Sequence, residues 1–147
     1  MDNDIVIDAR NRSGGYYKSG FNCAESIFLA FREMLTPDVP KEMVRMFTCL
    51  GGGLGYAGCM CGALNGAALM LGLLKGRTSH EQDREPVYEL ARQFHDRFEQ
   101  KFGNTCCRSL NTAPFDSLEH LRTCLKITGN TGKLLMEFLQ EKGLADK

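Results

Sequence analysis

Two cysteines, Cys59 and Cys61, follow a glycine run, GGGLGYAGCMC, and lead into an apolar, small-residue stretch that ends at Leu74. If that stretch is a helix from about residue 61 to 74, Cys61 lies in its first turn. Free backbone N–H groups and the positive end of the helix dipole favour a thiolate there. Cys61 is therefore the first candidate nucleophile or metal ligand. Cys23, directly after Asn22 at the start of another apolar segment, has the same placement. Cys106 and Cys107 precede Arg108, whose charge favours an ionised thiol; of two adjacent side chains, one is expected to point inward and the other elsewhere. Cys124 follows His120 by four residues, a spacing that puts thiol and imidazole on one helical face where both could hold a metal. His120 nonetheless sits beside Glu119 and Arg122 and is expected to face solvent. Cys49, within an apolar run, reads as core, and Cys59 completes a C-x-C pair that carries little by itself.

Seven cysteines in 147 residues need a compartment. The first fifteen residues, MDNDIVIDARNRSGG, are charged and polar, unlike a secretory signal, so the expected setting is reducing, the cytoplasm. Thiols that stay reduced and cluster point to metal or redox chemistry rather than to structural disulfides. Lys plus Arg equals Asp plus Glu at 18 each, which speaks against nucleic acid and anionic membranes as partners and for proteins or small molecules. The charge-free window between Arg45 and Lys75 could cross a bilayer by length, but its glycines and Asn65 leave only a core-sized helix.

The elements that must position these residues read as helices. Cys23 to Leu35 shows apolar residues at helical spacing, with Asn22 to cap it and Thr36-Pro37 to end it. Pro40 suits the first turn of a second helix running toward Cys49. The third is the small-residue helix at 61–74, expected at the centre. A fourth runs from a Ser79 cap, with Gln82 three residues on, to Phe102, and Pro86 either kinks it or marks its start. Leu118 to Ile127 and Gly132 to Gln140 read as a fifth and a sixth. Almost nothing alternates with period two. The expectation is an all-α, single-domain helical bundle of about five to six helices, with 1–15 and 143–147 frayed. Pairing as a homodimer through small-residue or apolar helix faces is also expected.

Gly53-Leu54-Gly55-Tyr56-Ala57-Gly58 satisfies G-x-G-x-x-G, yet no strand precedes it and no acidic residue occurs between Glu42 and Glu81, so it does not read as a dinucleotide loop. Glycines such as Gly53, Gly55 and Gly62 instead let backbone approach a compact sulfur site and offer it N–H donors.

Cys61-Gly62-Ala63-Leu64-Asn65-Gly66 resembles the C-G-A-x-x-G motif of a family of redox-active proteins named for that motif and its cysteines. The resemblance extends to Asn22-Cys23-Ala24, Gly51-Gly52-Gly53, Phe102-Gly103, Cys107-Arg108 and Cys124. It implies that the family's four characteristic cysteines correspond to Cys23, Cys61, Cys107 and Cys124, with Cys106 a possible substitute for Cys107. Three functions follow as expectations. Thiolates from separate helices hold an iron-sulfur cluster or another metal ion for electron transfer or redox sensing, with a redox partner protein. Alternatively, a metal-free thiol-disulfide oxidoreductase uses Cys61 and Cys107 on a small thiol or disulfide, or four thiolates form a structural zinc site in an interaction module. Paired carboxylates and Ser-His-Asp groupings do not stand out, so hydrolysis is a poor fit.

Overall fold

In a computed structural model that describes residues 2–146, the chain is helical, and the described residues contain no strand beyond one isolated antiparallel bridge. The helices are α1 (Asp2–Lys18), α2 (Cys23–Leu35), α3 (Gly51–Leu54), α4 (Gly62–Lys75), α5 (Glu85–Phe102), α6 (Cys107–Leu110) and α7 (Leu118–Glu141), with a 3-10 segment at Lys41–Leu50. The all-α expectation holds.

Helix α2 is the core of the bundle. Asn22 closes a capping box, its side chain accepting from the Glu25 N–H at 2.8 Å while its own N–H donates to the Glu25 carboxylate at 2.9 Å. Ala24, Ile27, Phe28, Ala30 and Phe31 are fully buried. Each of the large ones contributes roughly 1.5–3 kcal/mol of burial. Helix α4 crosses α2 closely at Gly66, where an added Cβ would sit 3.1 Å from the Ala24 backbone. Helix α5 begins at Glu85 with Pro86 in its first turn. The Ser79 signal is instead used in a turn, in which the Gln82 side chain accepts from the N–H groups of Thr78 and Ser79. Phe94 packs edge-on against Phe138 of α7 with ring centres 5.5 Å apart.

Three expectations are corrected. The fifth and sixth helices are one helix, α7, because the glycines that suggest a break serve packing: a Cβ on Gly132 would lie 2.9 Å from the Ala9 carbonyl oxygen of α1. The segment before Cys49 is a 3-10 helix, whose three-residue turn sends Val44, Phe47 and Leu50 inward. Cys49 is consequently exposed, not core. At the N-terminus, where no apolar stripe signals a helix, α1 lies along α7 and buries Val6, Ala9 and Ser13. Leu144 and Ala145 pack against the core at the other end, whereas Met1 and Lys147, within the stretches expected to fray, lie outside the described residues.

Candidate functional site

Cys61 is the N-cap residue of α4, one position before the helical turn the spacing suggests. Its thiol does meet the N–H groups of Ala63 and Leu64, but burial outweighs them and pushes it up to about 11. The expected low-pKa thiol is thus corrected: helix-end stabilisation is present and insufficient, because Cys61 is buried. Cys23, the first residue of α2, is raised further, by burial first and then by the neighbouring thiols of Cys61 and Cys124, against the N–H groups of Ala24 and Gly52.

Cys107 opens the one-turn helix α6 and points inward, while its neighbour Cys106 is half-buried, as adjacency suggests. Burial raises Cys107, with Cys124 and Cys106 adding and Arg108 opposing. Cys106 is lowered, chiefly by the Ser109 N–H, and its Sγ donates to the Gly58 carbonyl at 3.0 Å. The segments of Cys61 and Cys107 are held side by side. The Cys61 N–H donates to Thr105 at 2.8 Å and the Cys107 N–H to Cys59 at 2.5 Å, flanking the bridge between Met60 and Cys106.

Cys124, on α7, has the most polar surroundings. Asn111 Nδ2 donates to its sulfur at 3.2 Å and to the His120 carbonyl at 2.9 Å. His120 Nε2 lies 3.4 Å from the same sulfur, and the Tyr17 hydroxyl of α1 faces it. His120 is only 6% exposed and packs edge-on to Phe115 with ring centres 5.0 Å apart, so the solvent-facing expectation is corrected. The loop ahead of α7 folds Phe115 over the imidazole and covers it. Burial raises Cys124, against Asn111 and Tyr17. Tyr17 is raised as well, by burial and by this thiol.

Cys23, Cys61, Cys107 and Cys124 therefore share one electrostatic neighbourhood, brought there by α2, α4, α6 and α7. Cys49 and Cys59 are exposed, outside it. The glycines divide by role. Gly62 abuts the Cys23 sulfur, and its Cβ would also meet the Leu50 carbonyl oxygen at 2.7 Å. Gly53, at φ 66°, would place a Cβ 2.7 Å from that of Cys107. Gly55 has open space around it and serves the turn, in which residues 52–56 all adopt positive φ, including the non-glycines Leu54 and Tyr56. Gly52, marked in the sequence only as part of the glycine run, supplies the N–H that meets Cys23. Tyr17 and Asn111 carried no sequence signal, the first because α1 itself was not legible, the second because it stands alone in a loop.

The donor set is soft sulfur, suited to iron-sulfur clusters or zinc. Among the described residues no three His, Cys, Asp or Glu side chains come close enough to hold one metal ion as they stand. A single tetrahedral zinc, with Zn–S near 2.3 Å, needs its sulfurs about 3.8 Å apart. A cluster ligates each thiolate through a different iron, so its four ligands surround a shared space. Of the four thiols, Cys23, Cys61 and Cys107 are buried and Cys124 is half-buried.

An all-α bundle that gathers four thiols from four segments, three buried and one half-buried, is a cysteine-centred protein. The chain belongs to the family described as "Putative redox-active protein (C_GCAxxG_C_C)", whose model matches residues 21–138. A protein of Archaeoglobus fulgidus described as uncharacterized is 27% identical over 143 residues, covering 91% of this chain and 95% of that one. No solved structure matches. No helix among the described residues is long and apolar enough to cross a membrane.

Proposed function

We propose that this chain is a small redox protein in which the thiolates of Cys23, Cys61, Cys107 and Cys124 hold an iron-sulfur cluster and exchange electrons with a partner protein in the cytoplasm. The observation that carries this reading is the gathering of four thiols from α2, α4, α6 and α7, three of them buried and Cys124 half-buried, whose ionised forms would repel one another, with Arg108 opposing at Cys107. Deprotonated together, such thiols need positive charge among them. A cluster would supply that charge and a one-electron couple. The chain's own part is to exclude water and to aim backbone N–H groups at sulfur: Ala24 and Gly52 at Cys23, Ala63 and Leu64 at Cys61. Hydrogen bonds to the sulfurs raise a cluster's potential by stabilising its more negative state.

The metal-free dithiol reading is weaker on one point. Cys61, pushed up to about 11, stays protonated at neutral pH, and the thiolate is the attacking species. Iron and acid-labile sulfide, measured per chain in anaerobically purified protein, decide between the readings. Matching iron and sulfide is the expected result. Zinc without sulfide overturns it in favour of a structural site, and titratable thiols without metal overturn it in favour of dithiol chemistry.

A further inference from the structure

Helices α1 and α7 lie together along much of their length, Gly129 resting against Arg10 and Gly14 against Leu125, and the side chains beside this contact border a groove of about 480 Å³. Its lining offers donors and no carboxylate. Arg10 and Lys18 come from α1, Lys126 from α7, and the side-chain amides of Asn11 and Asn130 join them. Among the described residues none of these three cations is in an ion pair, whereas Arg12 on the same helix is bound to Asp8 at 3.0 Å and to Glu33 at 3.1 Å. Three unneutralised cations around one concavity repel one another, and the fold gains nothing from the grouping.

One glycine of the lining supports the same conclusion. Gly15 stands inside α1 with nothing within 4 Å of where a Cβ would be. A helix-interior glycine costs roughly 0.5–1 kcal/mol relative to alanine, and here no close packing requires it. Its effect is to keep the groove open. The volume lies within the range of small-ligand sites, roughly 300–1,000 Å³.

We propose that this groove binds a small phosphate-bearing molecule, its charge met by Arg10, Lys18 and Lys126 and its oxygens by the amides of Asn11 and Asn130. Phosphate oxygens are acceptors that pair with such donors through charge-assisted hydrogen bonds. The inference does not depend on what the four thiols hold.

Titration of the full-length reduced protein with inorganic pyrophosphate at fixed ionic strength, followed by calorimetry and amide chemical shifts, tests it. Saturable binding at one site is expected, with shifts clustered at the groove. Arg10→Gln and Lys126→Gln should each weaken it by about tenfold, the scale of one charged hydrogen bond. Gly15→Leu, which fills the groove without altering charge or straining the helix, should abolish it, while Lys75→Gln on α4 should leave it unchanged. Absence of saturation, equal weakening by Lys75→Gln, or full binding by Gly15→Leu would overturn the proposal.

Discussion

Gly62 stands where any side chain would collide with the sulfur of Cys23. The second letter of the C-G-A-x-x-G motif is thereby explained by packing: it lets the start of α4 rest on the thiol that starts α2. The last glycine, Gly66, does the same one turn later against Ala24.

Gly62→Ala should cost about 1–3 kcal/mol of stability through overpacking, read from urea denaturation. Gly72→Ala, in the same helix with nothing within 4 Å of its would-be Cβ, should gain about 0.5–1 kcal/mol. Equal effects from the two would mean that the contact with Cys23 is unimportant.

Stability of the reduced, metal-free protein should fall with alkaline pH. The Cys61 thiol has an ordinary value of 9.0 and stands at about 11 in the fold, so its contribution is complete below pH 9 and lost as pH rises toward 11. Across that window the unfolded chain releases a proton that the folded chain retains, a slope of about 1.4 kcal/mol per pH unit for each such thiol. Cys61→Ala should flatten the slope measured by denaturation at successive pH values.

Alkylation should separate the cysteines by class. Iodoacetamide at neutral pH, with sites read by mass spectrometry, should modify half-buried Cys106 and exposed Cys49 and Cys59 first, and buried Cys23, Cys61 and Cys107 last. Early modification of Cys61 would contradict its burial and its raised pKa.

Asn111→Ala should destabilise the fold by about 1–3 kcal/mol, because it leaves the buried His120 carbonyl without this donor and removes the amide from the Cys124 sulfur. Asn111→Asp should be no better, since a carboxylate donates to neither acceptor. Thermal denaturation of both variants checks this.

Serine at Cys23, Cys61, Cys107 or Cys124 should each abolish iron and sulfide incorporation, while serine at Cys49 or Cys59 should leave both unchanged. Retention of the metal in Cys124→Ser would remove that residue from the ligand set.

What the sequence made legible follows from the strength of local signals. Helix α2 announces itself through its cap and apolar spacing, and Pro86 marks the true start of α5. Helix α1 lacks such a stripe, since much of its buried contact comes from small residues, Ala9 and Ser13, lying against α7. Its helicity is a tertiary effect, and Tyr17 could not be placed without it. The same contact explains why Gly132 does not end α7. Of the site, the thiols at two helix starts were readable because a cap and a glycine run mark those starts. The surroundings of Cys124 were not, because Asn111, Phe115 and Tyr17 reach it from elements whose arrangement no local pattern encodes. The direction of the Cys61 shift was misread for a related reason: a helix end is visible in a sequence, and the depth at which it is buried is not.

The four central cysteines are widely separated along the chain, so any bond formed among them, covalent or through a metal, closes long loops. Closing a loop acts on the unfolded chain, removing conformations it would otherwise explore. Chemistry at these sulfurs is therefore also a mechanical constraint on the polymer, and a change in their state should register as a change in melting temperature.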